Sequence, residues 1–321
     1  MSNILITGIA GSGASYLAEY IVQNHPEIQV HGISRWHSTA SKKNIESIKN
    51  KIILHECDLN DLGSIIRVLR EVKPKKIFHM AATANVKVCF DTPLAVLQNN
   101  IMSTANLLEA VRIECPETIF QHCSTSEIYG NPITTPITED HPLAPVNIYA
   151  VSKLSAEKTA MAYYHSWKLN IIITRTFAYI NPRRGDIFST IFAKQIALIE
   201  AGKLDVLRHG NLFSTRTLMD VRDMAKAYWL ASDKCEYGTP YNIGGTDILE
   251  VGEFMMKLIE HAKCYIWTYE YSNLIRPVDV TKQVCDASKF NNKTGFTIDY
   301  TLDNSIDFLL DNVRKEVIDE T

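Results

Sequence analysis

NILITGIAGSGASYLAEYIV, residues 3–22, is the stretch on which the fold turns. Its first five residues form a short apolar run, read as a buried strand, and SYLAEYIV continues with helical spacing. Between them lies TGIAGSGA (7–14), where Gly8, Gly11 and Ala14 keep a G-x-x-G-x-x-G/A spacing and Ser12 and Gly13 are also small. Small residues let backbone N–H groups and a helix N-terminus approach a pyrophosphate. A plain tight turn would also use glycines. The strand before and the helix after favour a dinucleotide-binding turn.

Working outward, the same alternation repeats. IQVHGIS (28–34), KIILHEC (51–57), KKIFHM (75–80), ETIFQHCS (117–124) and NIIITRTF (170–177) read as buried strands. Helical patterns lie near 12–25, 61–72, 93–114 and 148–168. This rhythm predicts an α/β fold: a doubly wound parallel sheet of the Rossmann kind, with a smaller α/β C-terminal substrate lobe. Past residue 180 the rhythm loosens. Helices are expected at 188–202, within 218–232 after a turn, and near 302–315, with a strand and its exit at YNIGG (241–245). The predicted division is 1–180 plus about 218–245 for the nucleotide-binding half, and 181–217 plus 246–321 for the substrate lobe.

Composition narrows the function. The 321 residues are 46% hydrophobic and 21% charged with a net charge of −3, which gives no basic footprint for nucleic acid. The seven cysteines are scattered without a CxxC pair, so reduced thiols and a cytoplasmic location are expected. No HExxH or zinc-like spacing occurs, so no metal site is expected. No apolar run approaches the ~20 residues a membrane span needs, and MSNILITGIAG lacks the basic start of a signal peptide.

The second strand ends in HGISRW. An acid there would hold a ribose 2′-hydroxyl; instead Arg35 follows, which suits a 2′-phosphate. NADP is therefore the expected cofactor and NAD the alternative, while a solvated loop arginine is the competing reading. CDLND (57–61) places Asp58 and Leu59 where adenine would lie, and HMAATA (79–84) places Ala81, Ala82 and Thr83 where a cofactor would need small neighbours.

Y-x-x-x-K sets both side chains on one helix face, and an ammonium one turn away should lower a tyrosine pKa from ~10. The chain has two matches, Tyr149/Lys153 and Tyr164/Lys168. Tyr149 opens its helix above the strand edge where open α/β sheets bind ligands, so the role falls to Tyr149 and Lys153. CSTSEIYG (123–130) ends a strand in Thr125, Ser126 and Glu127. This tip reads as a catalytic ledge, and a capped polar turn is the alternative.

Taken together, TGxxGxxA, DLND, HMAA, STSEIYG, YAVSK (149–153), PRRG, GNLFSTR, VRD, YNIGG and RP resemble the extended short-chain dehydrogenase/reductase family over nearly the whole chain. Within it, SYLAEYI, STSE-x-YG and NPRRG (181–185) are similar to nucleotide-sugar 4,6-dehydratases of the GDP-mannose type. Residues 192–230 also resemble GDP-4-keto-6-deoxymannose reductases. The resemblance implies that Tyr149, with Lys153, takes the 4-OH proton as hydride leaves C4 for NADP⁺, and that Thr125 holds that oxygen. Glu127 would take the C5 proton and assist loss of the C6 hydroxyl, with Ser126 a weaker acid or a support of the turn. The hydride would return to C6.

By the same resemblance Arg216 and Arg276 clamp a diphosphate, and Arg183 and Arg184 contact substrate or a neighbouring subunit. Helices 93–114 and 148–168 would pair into a homodimer, with a tetramer the further option. Departures from the family stand at Ala178, where relatives usually have Asn, at Leu218, Ser103 and the loop WHSTASKK (36–43). Two other functions remain open: an NAD(P)H-dependent 4-keto-sugar reductase and a non-catalytic dinucleotide-binding regulator.

Overall fold

Strands β1 (Ser2–Thr7), β2 (Ile28–Ser34), β3 (Ile52–Glu56), β4 (Lys76–His79), β5 (Ile119–Thr125) and β6 (Ile171–Thr176) lie parallel in the order β6-β5-β4-β1-β2-β3 in the computed structural model. It describes residues 2–36, 38, 40–274 and 280–319. Helices α1 (Ser12–Asn24), α2 (Leu62–Val72), α3 (Val86–Asp91), α4 (Pro93–Leu97), α5 (Ser103–Glu114) and α6 (Ile148–Trp167) connect them. Two apolar cores result, one on each face: Ile4, Ile6, Leu17 and Ile21 on one, and Leu5, Ile65, Leu107 and Ile171 on the other. Burial on both faces explains why β6 reads IIITRT with every residue buried rather than alternating.

The predicted helix over 93–114 is not continuous. Gln98–Met102 winds as a π-helical segment between α4 and α5. The side chain of Asn100 explains the wide turn: its Nδ2 donates to Thr83 O (3.1 Å) and to Ser152 Oγ (2.9 Å), while Thr83 N donates to its Oδ1 (2.7 Å). Single-turn π-bulges of this kind inside α-helices are frequent at functional sites. Elsewhere the helix ends follow local chemistry. Asp61 caps α2 by accepting from Gly63 N at 3.0 Å, and Asn147 caps α6 by accepting from Ala150 N at 2.8 Å.

After β6 the chain builds β7 (Tyr179–Ile180), α7 (Phe188–Glu200), β8 (Leu207–His209), β9 (Thr215–Asp220) and α8 (Val221–Lys234). It then returns to the first sheet as β10 (Pro240–Ile243), parallel to β6, making seven strands. β11 (Asp247–Glu250), α9 (Val251–Glu260), β12 (Thr268–Glu270), β13 (Lys282–Gln283), α10 (Ser288–Thr294) and α11 (Leu302–Asp319) follow. A second sheet pairs β9 with β7, β11 and β13, and its apolar core gathers Phe192, Leu218, Phe254, Leu309 and Leu310. Among the described residues no helix is long and apolar enough to cross a membrane.

Candidate active site

Strand order reverses between β1 and β4, and the glycine turn sits at that reversal. Gly8 has φ +65°, and a Cβ on it would meet Ala81 Cα at 3.0 Å. The turn closes with Gly11 N donating to Gly8 O at 2.7 Å, and Gly11 is the N-cap of α1 without a side-chain cap. The first N–H groups of α1 therefore face out of the switch point. Thr7 stitches the two strand ends: its Oγ1 accepts from Met80 N and Ala81 N, each at 3.1 Å, and pairs with His79 Nδ1 at 2.9 Å. Burial drives His79 down to about 3, with the charge of Lys153 adding to the effect, so its ring is neutral. The cradle expected from Gly8, Gly11, Ser12, Gly13, Ala14, Ala81, Ala82 and Thr83 is thus assembled from two strand ends and one helix start.

Two further cofactor candidates behave differently. Arg35 follows β2 directly and is half-buried. Asp58 turns one carboxylate oxygen back to its own loop, accepting from Asn60 N at 2.9 Å and Asn60 Nδ2 at 3.2 Å. Leu59 is buried, its carbonyl accepting from Asn106 Nδ2 at 3.0 Å.

Tyr149 stands at the start of α6 against Thr125 at the end of β5. Burial pushes its phenol up to about 12; Arg184 opposes this, Tyr179 adds to it, the Thr125 hydroxyl hydrogen bond lowers it and Glu127 raises it. The expected lowering by Lys153 is not what the ligand-free chain does. The Lys153 side chain, 4% exposed, lies in the core, where burial lowers its ammonium to about 8 while Cys123 and Glu157 pull it back up. Spacing put both residues on one helix face, but the low dielectric around them opposes both charged forms. The other match is structural: Tyr164 packs over Gly238, where a Cβ would meet its ring at 2.2 Å, and Lys168 is the left-handed cap of α6 at φ +57°.

The turn after β5 carries the ledge. Thr125 Oγ1 accepts from Glu127 N at 3.3 Å and starts a short 3₁₀ turn. Each oxygen of Glu127 accepts from an amide: Oε2 from Asn147 Nδ2 and Oε1 from Gln283 Nε2, both at 3.2 Å. Ser126 is 3% exposed and donates to Gln283 Oε1 at 3.3 Å. Beneath the turn, Arg175 pairs with Glu157 at 2.7 Å and donates to Tyr129 OH at 2.9 Å, Ser124 donates to Glu157 at 2.7 Å, and Tyr129 donates to Asn242 at 2.7 Å. This buried network fixes the strand end from which the ledge projects.

The arginines separate by contact. Arg184 reaches into the site, donating to Ala84 O at 3.1 Å and to Asp186 at 3.1 Å beside Tyr149. Arg183 instead binds α1, through Ser15 Oγ at 2.9 Å and Glu19 at 2.8 Å with its guanidinium 4.0 Å above the Tyr16 ring. These are the contacts Arg183 makes within the chain. Arg216 lies on β9 in register with Gln283, and Arg276 lies outside the described residues. Leu218 is buried in the apolar core of the second sheet. Asn100, Asn147, Tyr179 and Gln283 were not foreseen. Only Asn147, in the PVNIYA cap before α6, had a local signal. Among the described residues no group of three or more His, Cys, Asp or Glu is placed to hold a metal ion.

A family model described as GDP-mannose 4,6 dehydratase matches residues 5–308. The chain belongs to that family. It is 35% identical over 240 residues to a GDP-mannose 4,6-dehydratase of Yersinia enterocolitica, covering 72% of this chain and 64% of the relative. It is 31% identical over 282 residues to the GDP-mannose 4,6 dehydratase of Homo sapiens, covering 84% of this chain and 75% of the relative. The chain thus spans just under two thirds of the Yersinia relative's length. In structure it is similar to RMD from Pseudomonas aeruginosa complexed with NADPH, with a TM-score of 0.85 at 22% identity, covering 98% of this chain and 100% of that one. That likeness fixes the doubly wound fold.

Proposed function

We propose that this chain is a nucleotide-sugar 4,6-dehydratase, a hydro-lyase converting GDP-mannose to GDP-4-keto-6-deoxymannose with NADP as its resident dinucleotide. The observation that carries the reading is Glu127: a carboxylate oriented by two amide donors on the ledge that also holds Thr125, opposite Tyr149. Gly8 at φ +65° and 3.0 Å from Ala81, and Gly13 at 3.0 Å from the Tyr179 hydroxyl, are tight places for any side chain, which is consistent with a turn that lets a dinucleotide approach the backbone. Arg35 beside that cradle supports the 2′-phosphate form. When bound, the dinucleotide supplies hydride acceptance at C4 and its return at C6.

The chain's own residues do the rest. Tyr149 takes the proton of the 4-hydroxyl, and Thr125, bonded to the phenol, fixes the line of approach. The Lys153 ammonium, one turn along α6 from Tyr149, stabilises the phenolate electrostatically once substrate and dinucleotide exclude water. With a ketone at C4, the C5 proton is acidic, and Glu127 removes it. Protonated Glu127 then donates to the departing C6 hydroxyl. Arg184 and Arg216, with Arg276, would hold the diphosphate. A nucleotide half and a sugar lobe are part of this reading, supported by the bond from Gln283 of β13 to Glu127 after β5. Exposed Leu94, Met102 and Val151 along α4–α6 support a homodimer through these helices.

Mass spectrometry of GDP-mannose incubated with the protein and catalytic NADP⁺ tests the reading. Loss of one water is expected, and Glu127→Gln lowers its rate by about 10²–10⁴-fold. An unchanged sugar mass with GDP-mannose and other nucleotide hexoses overturns it.

A further inference from the structure

Gln283 enters the ledge from far along the chain. It sits on β13 in register with Arg216 of β9, and its side chain is buried at 3% exposure. Its bonds permit one orientation. An ionised carboxylate only accepts, so the Gln283 NH₂ must face Glu127 Oε1; its carbonyl then faces Ser126, whose hydroxyl must donate. The second amide is fixed as well, because Asn147 Oδ1 is held by Ala150 N while its Nδ2 donates to Glu127 Oε2. Glu127 therefore lies between two neutral donors that cannot turn round. Of the titratable groups around it, Tyr149 interacts with it from α6, and Arg184 interacts with Tyr149 from the loop before α7. Lys282, its neighbour on β13, is exposed to solvent.

We infer that Gln283 is a positioning residue for the elimination step, holding the Glu127 carboxylate aimed until it receives the C5 proton; this rests on the dehydratase reading above. In that step the C5–H bond breaks and its electron pair passes toward C4 and then into a C5=C6 bond. The C6–O bond breaks with its pair on oxygen, and the proton carried by Glu127 completes one water. Glu127 is left ionised, with nothing oxidised or reduced. Ser126 acts through Gln283, since its hydroxyl proton is directed there. Because Gln283 and Arg216 share adjacent strands, the base is also positioned by the strand pair expected to carry the diphosphate.

Two variants test this, Gln283→Leu and Ser126→Ala. Infrared difference spectra against Glu127→Gln isolate the Glu127 carboxylate stretch in the ligand-free protein at one fixed pH. Gln283→Leu removes one hydrogen-bond donor from Oε1 and is expected to move that stretch to higher frequency. Ser126→Ala, which frees the amide to turn, moves it the same way by less. On GDP-mannose, Gln283→Leu is expected to slow water loss by about 10–100-fold with KM within about twofold. An unmoved stretch in folded Gln283→Leu overturns the proposal whatever the substrate. If that variant does not fold, an unmoved stretch in Ser126→Ala overturns it. A moved stretch with no water loss from any nucleotide hexose in the wild type leaves the positioning intact and sinks the dehydratase reading.

Discussion

Replacing Lys153 with Met should make the cofactor-free protein more stable while removing its activity. The ammonium is 4% exposed, and burial lowers it to about 8 from 10.5. The unfolded chain therefore binds this proton more readily than the folded one. The penalty is fully present below pH 8 and disappears as pH rises toward 10.5. A gap of about 2.5 units corresponds to roughly 3 kcal/mol at pH 7, falling to less than half of that at pH 9.5. Methionine fills a similar volume without a charge, and Glu157 keeps its stronger partner in Arg175. Scanning calorimetry without nucleotide should show the variant melting roughly 5 °C above the wild type at pH 7, with the difference less than half as large at pH 9.5. A variant less stable than wild type at pH 7, or a difference that ignores pH, would refute this account of the lysine.

Three further expectations concern other parts of the site. Arg175→Met leaves Glu157 buried without its ion-pair partner and should cost about 3–5 kcal/mol by urea denaturation, whereas the double change to Met and Leu restores much of it. Gly8→Ala meets both φ +65° and the Ala81 backbone at 3.0 Å; it should cost about 1–3 kcal/mol and weaken dinucleotide binding, measured by fluorescence titration. Arg35→Ala should reduce the preference for NADP over NAD by roughly tenfold or more in paired Kd measurements, in line with loss of a charge-assisted contact.

The parts legible in the sequence were those whose causes are local. The glycine turn announced itself because backbone approach requires small residues at fixed spacing between one strand and one helix. Tyr149 was separable from Tyr164 because it opens its helix, and the structure indeed packs Tyr164 on Gly238. What could not be read was set by distance or by dielectric. Gln283 is 156 residues from Glu127 on a strand of two residues, too short to leave a pattern. The π-helical segment at 98–102 interrupts no apolar periodicity, since its cause is Asn100 reaching across to Thr83 and Ser152. The direction of the Tyr149 shift depended on how deeply the phenol and the ammonium were buried, which the five letters of the motif do not reveal.

The late return of β10 to the first sheet has a consequence for how the chain is made. During vectorial synthesis β1 to β6 leave the ribosome well before residues 240–243, so the outer side of β6 waits with its ladder groups unpaired while the lobe is still being translated. Parallel sheets close slowly, and an apolar edge of this kind is a template for association with other chains. Premature termination anywhere between β6 and β10 should yield products that precipitate rather than compact half-proteins, and nascent chains at these lengths are the ones a chaperone would be expected to hold.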